Sequence, residues 1–316
     1  MQATPKKSRE GRPGAGALFL LAALVCTWSL SWPVMKAGIA AVPPLSFAFL
    51  RYLIAAIVLA SVAGLTGRLR VPPRGDWPLV IISGTLQMAG FSALATVALT
   101  IVPAGRASVL AYSTPLWVVP LARFRLKERI SLASGVGVAI GLAGIFVIAE
   151  PSIGRRSPGE AVGNALLLAA AAMWAVSIVC VRAHRFTATP FELAPWQMII
   201  AALLLLPAAT FLDPPIGAID ARGAAALAYV SLAATAFAYW AMVWVGQRLA
   251  ASIVSMALLA VPCLGPLLSA SILGETIGWP LIIGVLLILS GIALSTIRNL
   301  RIIRPQRPVE PSGDGG

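Results

Sequence analysis

Residues 115–144 read PLWVVPLARFRLKERISLASGVGVAIGLAG, and residues 262–291 read PCLGPLLSASILGETIGWPLIIGVLLILSG. The second stretch repeats proline, glycine and acidic positions of the first at an offset of 147 residues. A fixed offset indicates an internal duplication, which constrains the architecture more than any single motif does. The matched positions are Pro115 with Pro262, Leu126 with Leu273, Glu128 with Glu275, Ile130 with Ile277, Gly137 with Gly284 and Gly144 with Gly291.

The duplication extends outward over nearly the whole chain. We predict a first repeat over residues 16–149, a linker over 150–160 and a second repeat over 161–297. Residues 1–15 and 298–316 are predicted to be cytoplasmic tails. Closer to the start of each half the offset is 146, which pairs Trp28 with Trp174, Lys36 with Arg182 and Arg51 with Gln197.

The composition is that of a membrane protein. Of the 316 residues, 59% are hydrophobic and 11% are charged, and the mean hydropathy is +0.90. The net charge of +13 does not indicate nucleic-acid binding, because the charges fall in short loops and tails between apolar runs. His184 is the only histidine, and Cys26, Cys180 and Cys263 lack metal-ligand spacing. We therefore predict no metal site and no cofactor.

Ten windows of about 20 apolar residues are long enough to cross a bilayer as helices. Five fall in each repeat, and an odd number of spans forces the second repeat to enter the membrane from the opposite side. The predicted fold is therefore an all-α membrane protein of ten transmembrane helices, arranged as two inverted five-helix repeats. The windows are 16–39, 45–66, 78–99, 105–124, 130–149, 161–181, 191–212, 223–245, 250–273 and 279–297.

The distribution of Lys and Arg sets the predicted orientation, because cytoplasmic loops are enriched in these residues. Of the 24 Lys and Arg residues, 18 fall on the side of the N-terminus and 4 on the opposite side, while Lys36 and Arg51 lie inside spans. We therefore expect a multi-pass protein of the inner (plasma) membrane with both termini in the cytoplasm. A cleaved signal peptide is disfavoured, because the first apolar run is too long.

Several short motifs resemble those of a known transporter family when their order and duplication are taken together. They are WS at 28–29, PLSFAFLRY at 44–52, PAGRA at 103–107, PLW at 115–117, ERI at 128–130, AYW at 238–240 and GE at 274–275. Over residues 16–298 the chain resembles an EamA-type transporter of the drug/metabolite transporter superfamily. It departs from the family pattern at Ser29 and Lys127, where glycine is common. The resemblance implies ten-helix exporters of amino acids and other small metabolites, some of them aromatic or toxic.

Lys36 and Arg51 are the two charges placed well inside predicted spans, and an intramembrane charge is a candidate functional group by default. No Asp or Glu lies deep in a predicted span to neutralise them, so a cavity that they line would attract a substrate carboxylate. The alternative is that both side chains reach the membrane interface without contacting substrate. The lack of deep acids also leaves proton antiport, exchange and facilitated diffusion open as coupling modes.

Two prolines and four polar residues are candidate moving parts. Pro115 and Pro262 occupy equivalent mid-span positions and are predicted hinges, because proline removes a helical hydrogen bond. A permanent kink without motion is the alternative. The predicted gate-side residues are Arg51, Glu128, Gln197 and Glu275. For the two glutamates, helix capping and loop ion pairs are the simpler alternative.

Aromatic residues recur at helical spacing, as Trp28 and Trp32 do in the first span. A cavity with aromatic walls and a few polar groups would suit an amphipathic or aromatic amino acid. Helix packing or contact with lipid is the alternative for most of these residues. The predicted substrate-binding residues are Trp28, Ser29, Trp32, Lys36, Gln87, Tyr112, Ser113, Trp174, Ser177, Tyr239 and Trp240.

Small residues recur near the end of each repeat. They are expected to let helices approach closely within one chain, with dimerisation as the alternative. The residues concerned are Gly137, Gly141, Gly144, Gly284 and Gly291.

The motifs that are absent indicate a protein that is not an enzyme, since the chain lacks the phosphate-binding loop of ATPases and the HExxH motif of metalloproteases. The predicted function is a secondary transporter that exports amino acids, aromatic ones among them, or similar small metabolites by alternating access. Efflux of drug-like or cationic aromatic compounds is the alternative within transport. A membrane enzyme or scaffold acting on lipid is the alternative from another class. The expected partners are a small-molecule substrate and the bilayer, with no nucleic acid, and the protein is expected to be a monomer or homodimer.

Overall fold

A computed structural model describes residues 15–127, 131–154, 158–184, 186–249 and 251–302. The regular secondary structure of this part of the chain is helical, and no strand occurs in it. Eight of its stretches are long and apolar enough to cross a membrane, with Ile253–Leu273 counted as one despite its internal turn, and the apolar part of the last helix, Trp279–Leu294, is shorter. The prediction of an all-α membrane protein is confirmed at this level.

The described residues form twelve helices, which we number in chain order. Two of them contain a π-helical segment, at Ser83–Gly90 in α3 and at Tyr229–Phe237 in α9. The bounds are α1 Ala15–Gly38, α2 Pro44–Leu65, α3 Trp77–Leu99, α4 Ala104–Ala111, α5 Thr114–Arg125, α6 Leu132–Gly154, α7 Pro158–Arg182, α8 Pro190–Leu212, α9 Ala221–Gly246, α10 Ala251–Leu258, α11 Val261–Leu273 and α12 Trp279–Ile302.

The backbone repeats with the same offset as the sequence. The two π-helical segments begin at Ser83 and Tyr229, which are 146 residues apart. The short gaps between α4 and α5 and between α10 and α11 also fall at equivalent places. π-helical turns are rare and often occur at functional sites. The two halves therefore share backbone irregularities as well as matching residues.

The structure divides two regions that the sequence predicts as single spans, 105–124 and 250–273. Turns interrupt the helix after Ala111 and again after Leu258. Pro115 and Pro262 are the second residues of α5 and α11, where the missing N–H removes no helical hydrogen bond. The prolines therefore lie at the start of new helices and do not kink continuous ones.

The helices of the two halves pack against each other reciprocally. Helix α2 packs against its counterpart α8, and α6 packs against its counterpart α12. Helix α1 contacts α11 in the way that α7 contacts α5. Such exchange of equivalent contacts is typical of two similar units related by a two-fold axis.

Glycines bring α6 and α12 into close contact. A methyl group added at Gly144 would lie 2.8 Å from the Gly284 carbonyl oxygen, and one added at Gly284 would lie 2.9 Å from the Gly144 carbonyl oxygen. Gly291 contacts the backbone of Gly137 and Gly141 in the same interface. Packing within one chain, the first of the two roles expected for these glycines, is the role that these contacts show.

Replacing Gly144 with Leu is expected to destabilise the protein by about 1–3 kcal/mol or more, because the new side chain would meet backbone that cannot move aside. The measurement is the melting temperature of the detergent-solubilised protein. Gly135→Leu is the matched control, since Gly135 lies on the same helix with open space around it. Equal melting temperatures for the two variants would contradict the packing role of Gly144.

Candidate functional site

A cavity lies where the two repeats meet, between α1, α2 and α3 on one side and α7, α8 and α9 on the other. It holds about 740 Å³ of space not occupied by protein atoms, its open mouth included. Most of its wall is aromatic or thioether side chain. The lining residues are Trp28, Ser31, Trp32, Met35, Arg51, Tyr52, Gln87, Met88, Phe91, Tyr112, Trp174, Met198, Ala234, Thr235 and Tyr239.

Aromatic side chains fix the shape of the cavity wall by contacting one another. The Trp174 ring meets Phe91 edge-on at 5.3 Å between ring centroids and Tyr112 at 6.0 Å. The Trp28 indole donates its Nε1 hydrogen to the Ala234 carbonyl oxygen at 3.1 Å. Edge-to-face pairs and a satisfied indole hydrogen bond hold such rings in place. The wall therefore offers flat apolar faces with defined orientations.

Arg51 is the single charged residue among the described residues that line the cavity. Its Nε donates to Thr235 Oγ1 at 2.7 Å, and its Nη1 lies 3.9 Å from Met35 Sδ. None of the ion pairs found in the described part of the chain involves Arg51. A cation without a counter-charge in an apolar wall attracts an anion strongly, because the surroundings screen the charge poorly.

The π-helical segments of both repeats reach this cavity. The first contributes Gln87 and Met88, and the second contributes Ala234 and Thr235. Ser177 donates to Gln87 Oε1 at 3.2 Å from behind the wall. Because that bond uses the amide oxygen, the amide nitrogen of Gln87 remains a donor. The polar part of the wall thus includes the hydrogen-bond donors of Gln87 and Arg51.

The structure separates the predicted substrate-binding residues into two groups. Trp28, Trp32, Gln87, Tyr112, Trp174 and Tyr239 line the cavity together. Ser177 lies one layer behind, against Gln87. Four predicted residues lie outside the cavity. Ser29 is buried and bonds to Val25 of its own helix, and Ser113 is buried in the turn between α4 and α5, where it bonds to Leu110. Lys36 bonds to Val102, and Trp240 is 39% exposed beside Phe237 and Trp244.

Lys36 and Arg51, the two intramembrane cations, differ in their surroundings. Arg51 lines the cavity, whereas the Lys36 ammonium donates to the Val102 carbonyl oxygen at 2.7 Å. Lys36 thereby holds the turn between α3 and α4. The structure thus places one of these two charges where a ligand in the cavity would reach it.

The remaining predicted gate and hinge residues lie at different depths. Gln197 is buried and accepts a hydrogen bond from the Tyr239 hydroxyl at 2.7 Å. Glu275 accepts from the backbone N–H groups of Ala104 at 2.7 Å and Gly105 at 2.9 Å, at the start of α4. A carboxylate at a helix N-terminus satisfies unpaired donors and the helix dipole. Glu128 lies outside the described residues.

Asp76 forms a second buried contact between the repeats. It accepts from the backbone of Ala188 at 2.9 Å and of Thr187 at 3.1 Å, and it lies 3.0 Å from Nε2 of His184. Burial opposes ionisation of Asp76, but the hydrogen bonds from Ala188, His184 and Thr187 outweigh burial and hold the pKa of its carboxyl below the ordinary value. The sequence gives no sign of this pairing, because the residues are more than 100 positions apart.

Replacing Asp76 with Asn is expected to lower the melting temperature at pH 7 by roughly 5 °C. The folded pKa of Asp76 is depressed, so its stabilisation is complete above the unfolded pKa of about 3.9 and is lost as the pH falls through the lower folded pKa. The difference between parent and variant should therefore be constant above about pH 5 and shrink below it. Asp220→Asn is the control, since Asp220 caps Gly223 within one exposed helix end. A difference that grows towards acid pH would contradict the assignment.

An all-helical chain with many apolar spans and an aromatic cavity between two repeats belongs to the class of multi-pass membrane transporters. Sequence comparison agrees with that class. The sequence model of the EamA-like transporter family matches residues 14–149 and matches again over residues 161–297. The chain belongs to this family, and it is a transporter rather than an enzyme.

Relatives in bacteria carry transporter names. The chain is 27% identical over 303 residues to a probable amino-acid metabolite efflux pump of Salmonella typhimurium, covering 92% of this chain and 97% of the relative. It is 29% identical over 273 residues to the uncharacterized inner membrane transporter YedA of Escherichia coli K12, covering 85% and 86%. A solved crystal structure matches with a TM-score of 0.65 at 22% identity, covering 92% of this chain and 99% of that one, which supports the fold alone.

Proposed function

We propose that this protein is a secondary transporter that exports amino acids or similar small metabolites bearing a carboxylate. The observation that carries the proposal is Arg51, a cation without a counter-charge in an aromatic cavity. An amino acid would place its carboxylate on Arg51 and its side chain against the aromatic wall. Its ammonium would lie over the face of an aromatic ring, where cation–π attraction takes the place of the acidic side chain that the described cavity wall lacks. The name of the Salmonella relative supports this substrate class.

Arg51 takes the anchoring role in the proposed site, in place of Lys36. The ligand contacts would come from Trp28, Trp32, Gln87, Tyr112, Trp174 and Tyr239, with Ser177 holding Gln87. Ser29, Ser113 and Trp240 have no place in the site, because they do not line the cavity. Lys36 fixes the turn at Val102 instead.

Alternating access between two inverted repeats is the proposed mechanism. The eight long spans, of which the divided pair α10–α11 is one, would make ten crossings together with α12 and the divided pair α4–α5, five in each repeat. The reciprocal packing of the halves supports a two-fold relation between them. The excess of Lys and Arg on the side of the N-terminus supports cytoplasmic termini, and the name of the Escherichia relative supports the inner membrane.

Glu275 is the proposed gate residue on the side opposite the termini. Its two bonds to the start of α4 join the second repeat to the first, so this side cannot open while they are intact. Glu128 is its sequence counterpart and is proposed to serve the cytoplasmic side. Pro115 and Pro262 are the proposed hinges. They lie in the first turn of α5 and α11, next to the turns that separate these helices from α4 and α10, so the angle between the two helices can change without the loss of a helical hydrogen bond.

Efflux of cationic drugs fits the cavity less well than export of carboxylates. No acidic side chain lines the cavity among the described residues, and Arg51 would repel a cation. A membrane enzyme acting on lipid is disfavoured by the family assignment.

Counterflow in proteoliposomes tests the proposal. The panel pairs each labelled amino acid with an analogue that lacks the carboxylate, such as tryptophan with tryptamine and phenylalanine with phenethylamine. Saturable counterflow of the acid but not the amine is expected. Faster counterflow of the amines would contradict a carboxylate substrate and favour efflux of cations. A lipid product without solute flux would favour an enzyme.

A further inference from the structure

We propose that Thr235 is a positioning residue that orients the Arg51 guanidinium for a substrate carboxylate. This inference rests on the proposed function, since it concerns the same cavity. Thr235 is almost fully buried, belongs to the second repeat, and contacts Arg51 of the first. It was not among the residues that the sequence singled out.

The hydrogen bonds of Thr235 have a fixed direction. Its hydroxyl donates to the Val230 carbonyl oxygen at 2.7 Å and accepts from Arg51 Nε at 2.7 Å. A hydroxyl has a single hydrogen, so once Val230 takes it, only a lone pair remains for a neighbour. The position next to Thr235 Oγ1 therefore suits a donor such as Arg51 Nε.

The π-helical segment creates this arrangement. In a regular α-helix a threonine hydroxyl bonds to a carbonyl three or four residues earlier, as Thr96 does with Ala93 and Ser92. Thr235 instead reaches Val230, five residues earlier, because the wider turn shifts the carbonyl. The wide turn thus supplies both the partner and the direction of the hydroxyl.

Holding Nε leaves the outer edge of the guanidinium for ligand. Arginine carries five N–H donors in a rigid fork, and Thr235 occupies the one on Nε. Nη1 bonds at 3.9 Å to the Met35 sulfur, a weak acceptor, and the guanidinium lies over the Tyr52 ring at 5.2 Å from its centroid. The terminal N–H groups can then bind a carboxylate through two parallel bonds, the geometry that arginine favours. Without Thr235 the guanidinium would keep only the weak contacts with Met35 and Tyr52, so the side chain would lose more orientations on binding.

The test compares Thr235→Val, which keeps the shape and removes the hydroxyl, with Thr235→Ser, which keeps the hydroxyl. Thr96→Val is the matched control, because Thr96 is also buried but bonds only to its own helix. For Thr235→Val we expect the half-saturating substrate concentration in counterflow to rise about tenfold at an unchanged maximal rate. Thr235→Ser should stay within about threefold of the parent, and Thr96→Val should not change.

A double-mutant cycle with Arg51→Lys separates positioning from general packing. If Thr235 acts through Arg51, then Thr235→Val should change the half-saturating concentration less than about twofold in the Arg51→Lys background. Equal effects in both backgrounds, or a loss of maximal rate alone, would overturn the inference. Should Thr235→Val not fold, Thr235→Cys replaces it, because its thiol is a weak acceptor of similar size.

The outcomes also separate this inference from the proposed function. An effect of Arg51→Lys with none from Thr235→Val would leave the transporter standing and overturn the role of Thr235. No saturable counterflow of any carboxylate by the folded parent would overturn both.

Discussion

Replacing Arg51 with Gln is expected to raise the half-saturating concentration of the carboxylate substrate by about 100-fold. Removing one partner of a buried, hydrogen-bonded charge pair costs about 2–5 kcal/mol, and each 1.4 kcal/mol is a factor of ten. The half-saturating concentration of Arg51→Lys should lie between those of Arg51→Gln and the parent, because lysine keeps the charge but lacks the planar guanidinium. The measurement is counterflow in proteoliposomes, with the amount of folded protein checked by size-exclusion chromatography.

Lys36→Gln is the matched control for Arg51→Gln, because Lys36 is the other cation inside a span and bonds to Val102 away from the cavity. We expect Lys36→Gln to leave the half-saturating concentration within about threefold of the parent. If Lys36→Gln raised that concentration and Arg51→Gln did not, the anchor would be Lys36 and the proposed site would be wrong.

Replacing Glu275 with Ala is expected to shift the protein towards the state that is open on the side opposite the termini. The carboxylate makes two charge-assisted bonds to Ala104 and Gly105, and a hydrogen bond to a charged group contributes about 1.5–3 kcal/mol. Losing them should change the ratio of the two states by at least about tenfold. The readout is labelling of Met35→Cys, which lines the cavity near the end of α1, by an impermeant maleimide in a cysteine-free background.

Glu160→Gln is the control for the gate variant. Glu160 pairs with Arg106 at 2.9 Å on the same side, but this ion pair is partly exposed and should contribute little. Labelling of Met35→Cys should accelerate with Glu275→Ala and not with Glu160→Gln. Equal labelling in both variants would show that the bonds to α4 do not hold the gate.

The sequence is informative about the parts of the fold that depend on composition and repetition. Apolar windows and the duplicated motif predict an all-α membrane protein with a repeat boundary near residue 150. The i, i+4 pair Trp28 and Trp32 also predicts a shared face, and the structure places both residues in one cavity. Following that face by helical spacing would also have reached Ser31 and Met35.

The features that the sequence did not predict depend on local backbone geometry and on contacts between residues far apart in the chain. Helical spacing from Tyr239 leads to Thr235, four residues earlier, but it does not predict the bond to Val230, because the π-helical segment shifts that carbonyl. Tyr52, Met88, Phe91 and Met198 look like ordinary packing residues until the helices are assembled. The role of Glu275 depends on Ala104, 171 residues away, which no local pattern encodes. Lys36 and Arg51 likewise look alike in sequence and differ only in what surrounds them.

The π-helical segments have a consequence for the history of the chain. They lie at the same offset in both halves, and the simplest account is that a half-length ancestor already had the wide turn before its gene was duplicated. Arg51 and its counterpart Gln197 differ, so the charge of the cavity diverged after that event. On this account the wide turn in the backbone is the older trait, and the charge at position 51 is the younger one.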